Sequence, residues 1–122
     1  MKTNTKTNAH FDTELEKAKA HIIVEILEYV PNSVLTRTII KKTTGNITVS
    51  AVDEGEELAE KTLAYDSFLQ VIDGAADVII KGEQVKLALG EAIIIPAHSS
   101  HRIAATEQFK MISTIIKSGY ED

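Results

Sequence analysis

From Ser33 onward the chain alternates short apolar runs with glycine-containing turns. Ser33–Lys41 (SVLTRTIIK) and Asn46–Val52 (NITVSAV) are rich in Val, Ile and Thr, and Thr43-Thr44-Gly45 divides them. Asp53-Glu54-Gly55-Glu56-Glu57 is an acidic turn, read as solvated. Further strands are predicted over Ser67–Asp73, Ala76–Lys81, Gln84–Leu89, Glu91–Ile95, His101–Ala105 and Phe109–Lys117. Many short strands with regular turns mean a sandwich or a barrel, and the pattern by itself leaves that choice open. The texture before Ser33 is different. Thr13-Glu14-Leu15-Glu16 has the form of a capping box, and Leu15, Ala18, Ile22, Ile23, Ile26, Leu27 and Val30 recur at helical spacing. That predicts a helix from Thr13 to Glu28, ending before Pro31, with a strand over His21–Leu27 as the alternative. Residues 1–11 read as a polar, mobile tail. The expected division is therefore a tail and helix over 1–32 and a β domain over 33–122.

Composition narrows the class. A chain of 122 residues with 43% hydrophobic and 25% charged residues is an ordinary globular domain. It contains no cysteine, which removes disulfides and thiol nucleophiles and suits a cytoplasmic location. Met1 to Asp12 lacks the apolar core of a signal peptide, and no apolar run approaches the ~20 residues of a membrane span. A formal net charge of -5 argues against nucleic-acid binding, which needs clustered Lys and Arg. Lys41-Lys42, the only basic doublet, splits between the two faces of its strand.

The stretch Ser67 to His101 carries a resemblance. Gly90-Glu91-Ala92-Ile93-Ile94-Ile95-Pro96-Ala97-His98-Ser99-Ser100-His101 has the form G(x5)P(x4)H and resembles the second motif of the cupin family. Glu60 to Ser67 followed by Phe68 to Gly74 occupies the place of the first. The resemblance covers about Val34 to Ile116. It implies an all-β fold, the double-stranded β-helix or jelly-roll cupin barrel of RmlC-like proteins, here with a short N-terminal helix and a single barrel.

In metal-binding cupins the first motif supplies two histidines and a glutamate, and the second a third histidine. At the corresponding positions this chain carries Lys61, Leu63 and Ser67, and only His101 keeps its ligand type. An ammonium and an isobutyl group cannot ligate a divalent cation, so the expectation is no metal and no cofactor. Equal parity on a strand should turn Leu63, Ser67, Leu69 and Val71 inward from one strand and His101, Ile103 and Ala105 from another. On the last strand either Met111, Ser113 and Ile115 or Lys110, Ile112 and Thr114 face in. His101, Lys61, Leu63, Ser67 and Leu69 are thus candidate ligand-binding residues, with Tyr65 and His98 at the mouth and no residue assigned to catalysis. A cup with one imidazole and one ammonium suits a carboxylate or another small anion, and a buried Lys61 would allow Schiff-base chemistry. His10 and His21 receive no role. Two other readings compete. One is a metal-dependent dioxygenase or isomerase using His98 and His101 with Asp66 or Glu60. The other is a structural protein without a ligand. A homodimer is expected in each case.

Overall fold

The computed structural model describes residues 7–120. Its strands are β1 (Thr7–Phe11), β2 (Ser33–Lys42), β3 (Gly45–Val52), β4 (Glu57–Lys61), β5 (Ser67–Gly74), β6 (Ala76–Ile80), β7 (Glu83–Leu87), β8 (Ala92–Ile95), β9 (His101–Ala104) and β10 (Phe109–Ile116). They form a six-stranded sheet in the order β1-β2-β3-β10-β5-β8 and a four-stranded sheet in the order β4-β9-β6-β7. From β3 onward every connection except β6–β7 crosses from one sheet to the other, which makes the fold a double-sheet jelly roll. No helix among the described residues is long and apolar enough to cross a membrane.

Period-two alternation fills the space between the sheets. Val34, Val52, Leu69, Val71, Val78, Ile95, Ile103, Phe109 and Met111 are buried there in one cluster. The register of β10 settles the parity that the pattern left open: Met111, Ser113 and Ile115 face inward. Gly74 ends β5 with φ 71° where the chain crosses to β6 in the other sheet, and a Cβ there would lie 2.1 Å from the Gln108 carbonyl oxygen. Only glycine fits that crossing.

A second apolar cluster lies on the outer face of the six-stranded sheet. Ile23, Ile26, Leu27 and Tyr29 lie on Val49, Ala51, Leu35, Ile39 and Ile72. The segment that carries them is not the expected helix over Thr13–Glu28. It is an irregular strap with a single 3₁₀ turn at Ile23–Glu25. The reason is visible in its hydrogen bonds. The Leu15 N–H donates to the Ile39 carbonyl at 3.2 Å, Glu14 Oε2 accepts the Lys41 N–H at 2.6 Å, and the Thr13 carbonyl accepts from Arg37 Nε at 2.8 Å. The capping-box residues therefore serve the far half of β2, and Ala18 sits at φ 60°, outside helical geometry. The polar tail is also more ordered than expected. Thr7–Phe11 pairs in parallel with Ser33–Arg37 as the edge strand β1, while residues 1–6 lie outside the described residues.

Further along the same outer face the strap gives out. Phe68, Ile94 and Ile116 are left exposed there, and β8 is the other edge of the sheet.

Candidate functional site

Away from the packed end, the two sheets enclose a cavity of about 260 Å³. The four-stranded sheet gives it a cation and an imidazole. Lys61 on β4 stands directly opposite His101 on β9, and Leu58 stands opposite Ile103. Leu58 and Lys61 are separated by an odd number of positions and would normally face opposite ways. A one-residue bulge between them turns Lys61 back to the cavity side. Directly opposed residues on one face have Cβ atoms roughly 5 Å apart, so Lys61 and His101 can serve one ligand group.

His101 is 4% exposed, and its Nδ1 lies 3.2 Å from the Ser99 carbonyl oxygen. A carbonyl only accepts, so Nδ1 carries a hydrogen and Nε2 is the ring's other position. Nε2 has no partner among the described residues and is not sealed from solvent, and the ring lines the cavity. Lys61 is exposed at the rim and has neither a hydrogen-bond nor an ion-pair partner among the described residues. A solvated ammonium is not the desolvated amine that Schiff-base chemistry needs.

The six-stranded sheet supplies the remaining walls. Leu69, Met111 and Ile115 are its apolar side, joined by Leu63 from the β4–β5 connection. Thr36, Thr48, Ser50 and Ser113 are its hydroxyl side, and Ser67 and Asn46 lie beside Ile115. Among the described residues no Asp or Glu lines this cavity, in a protein whose formal net charge is -5.

Of the residues the sequence singles out, Lys61, Leu63, Ser67, Leu69 and His101 meet here, and Tyr65 and His98 do not. The Tyr65 ring packs edge-on against Tyr120 at 6.1 Å and lies 5.8 Å from Lys117 Nζ. That aromatic pair and the Lys117 ammonium hold it on the outside. His98 is exposed in the β8–β9 loop with φ 66°, and its backbone N–H donates to the Leu63 carbonyl at 2.7 Å. Its backbone organises the mouth, and its imidazole stays in solvent.

Sequence reading passed over Thr36, Asn46, Thr48 and Ser50 on β2 and β3, Leu58 on β4, and a histidine. His10 lines the cavity from β1, with Nε2 3.0 Å from Thr38 Oγ1 and 3.5 Å from Asp12 Oδ1. The only sequence signal was the brief alternation Asn8-Ala9-His10-Phe11, too short to predict a strand.

The metal site of the fold family does not fit these residues. Among the described residues no three His, Asp or Glu side chains come together to hold an ion. Glu60 accepts from the Ser100 hydroxyl, and Asp66 Oδ1 accepts the Ala97 N–H at 2.8 Å. Neither joins His98 and His101 in a ligand set.

Two sheets in jelly-roll order around an open cup define a small cupin barrel. The family model for ethanolamine utilisation protein EutQ matches residues 30–120, and the chain belongs to that family. Among solved structures it is similar to a conserved Streptococcus pyogenes protein of unknown function, with 26% identity and a TM-score of 0.81 over 88% of this chain and 94% of that one. A cupin superfamily protein of Desulfitobacterium hafniense shares the fold at 21% identity and a TM-score of 0.79, over 85% of this chain and 95% of that one. The Clostridium difficile EutQ protein matches at 26% identity and a TM-score of 0.62, over 71% of this chain and 64% of that one. No curated protein matches the chain.

Proposed function

We propose that this cupin is a small-molecule-binding barrel that takes an anionic ligand, a carboxylate in the first instance, without a metal ion. One observation carries the reading: the Lys61–His101 pair faces a cavity that no acidic side chain lines among the described residues. An open ammonium can hold a carboxylate by a charge-assisted hydrogen bond, and the imidazole beside it adds a second once its Nε2 takes up a proton with the acid. The apolar residues around it suit a carbon skeleton. The cavity counts against a purely structural role. The same chemistry disfavours ethanolamine as the occupant, because its ammonium would meet Lys61 and find no carboxylate to pair with.

Isothermal titration of chelator-treated protein with short-chain carboxylates tests this. Binding is expected to survive chelation and to be lost in Lys61→Met and His101→Gln. Binding that requires a divalent ion, or that ignores both substitutions, would overturn the proposal.

A further inference from the structure

The inner face of the six-stranded sheet changes character along its length. At the packed end its strands present Val34, Val52, Val71 and Phe109. At the cavity end the same strands present hydroxyls. The register lines them up in rows: His10, Thr36, Ser50 and Met111 in one, and Thr38, Thr48, Ser113 and Leu69 in the next. Each row runs from polar on β1, β2 and β3 to apolar on β10 or β5. The cavity is therefore amphipathic across its width.

The hydroxyls are not consumed by the protein. Thr36 and Ser50 share one hydrogen bond at 3.0 Å. Thr48, Ser67 and Ser113 have no side-chain partner among the described residues, and none of their oxygens is sealed away from solvent. Ser67, only 3% exposed, lines the cavity as well. A barrel interior gains more from Val or Ala at such positions than from hydroxyls that only water satisfies. Hydroxyls kept open on one wall, facing a cation on the other sheet, describe a ligand with its own hydroxyl groups.

Size sets the chain length. At the ~30 Å³ that a molecule occupies in liquid water, a 260 Å³ cavity holds about nine water-sized groups. We infer that the occupant is a short hydroxylated carboxylic acid of about four carbons, its carboxylate on Lys61 and His101 and its hydroxyls on Thr48, Ser50 and Ser113. The inference rests on the anion reading above and adds the hydroxyl requirement to it.

The test is calorimetric titration with three probes of equal chain length: threonate (carboxylate and hydroxyls), butyrate (carboxylate alone) and erythritol (hydroxyls alone). Threonate is expected to bind at least about tenfold tighter than butyrate, and erythritol not measurably, because each hydroxyl contact contributes about a factor of five. Thr48→Val and Ser113→Ala, which keep the fold's volume, should each weaken threonate by about that factor and leave butyrate unchanged. Butyrate binding as tightly as threonate would overturn this inference and leave the anion reading standing. Erythritol matching threonate, or neither acid binding, would overturn both. Equal weakening of both acids in Thr48→Val would mean the hydroxyl acts on the fold and not on the ligand, and would also sink the inference.

Discussion

Lys61 and Lys110 lie on opposite sides of the barrel wall and have opposite fates. Lys110, on the outer face of β10, is 9% exposed and fully engaged. Its Nζ donates to the Val24 carbonyl at 2.7 Å and sits 4.9 Å from the centre of the Tyr29 ring. Asp73 faces it across the β5–β10 ladder and accepts the Tyr29 hydroxyl at 2.5 Å. The chain itself satisfies that ammonium, and the result is a strap fastened to a sheet. Lys61 is exposed, paired in register with His101, and answered by no protein group among the described residues. A buried cation must find partners inside the fold, whereas a cation left open at a cavity is available to something outside it.

Replacing each lysine by methionine sharpens the contrast, since the substitution keeps the stem and removes the charge. Lys110→Met loses a charge-assisted hydrogen bond and a cation–π contact and leaves the Val24 carbonyl unsatisfied. It should cost about 1–3 kcal/mol in a denaturant titration. Lys61→Met should move stability by less than about 0.5 kcal/mol, as exposed substitutions do, while abolishing carboxylate binding. Equal stability losses in the two variants would erase the distinction.

The strap also carries a pH signature. Burial, then the hydrogen bond to Asp73 and the negative charges of Asp73 and Glu107, push the Tyr29 phenol above its ordinary value. Lys110, stacked on the ring, is the facing positive charge. A phenol raised in the folded state contributes stability that is complete below the unfolded value of about 10 and is lost as pH climbs toward the folded value. Wild type should therefore lose stability above about pH 10 more steeply than Tyr29→Phe. At neutral pH that variant should be about 1 kcal/mol weaker for the missing hydrogen bond. Parallel alkaline profiles for the two proteins would show that Tyr29 is not coupled to the fold.

The same two regions show what the residue pattern could and could not reveal. Strands that face a core on one side only, such as β9 with His101 and Ile103 inward and Arg102 exposed, were legible from alternation. On β10 both parities are apolar, because the strap covers the outer face, and only the register decides between them. Ile23, Ile26 and Leu27 have helical spacing, but an irregular strap pressed onto a sheet uses the same residues, and β2 takes the groups that would have capped a helix. Within the cavity, His101 and Lys61 were recognisable by motif position. The bulge that aims Lys61 inward is a backbone event with no residue signature, and His10 becomes a wall residue only because a short strand docks on β2.

His98 offers the finest test of which imidazole belongs to the cavity. Its φ of 66° is a left-handed conformation that costs a non-glycine residue about 1 kcal/mol or more. Glycine removes that strain but adds freedom to the unfolded chain worth roughly 0.5–1 kcal/mol. His98→Gly should therefore leave stability unchanged or raise it by up to about 1 kcal/mol, with the backbone hydrogen bond to Leu63 intact. Acid binding should be unaltered, in contrast to His101→Gln, because His101 borders the cavity and His98 does not. If His98→Gly weakened the ligand as much as His101→Gln does, the exposed loop would have to be counted in the site, and the division between a fold-forming backbone and a ligand-facing ring would fail at that residue.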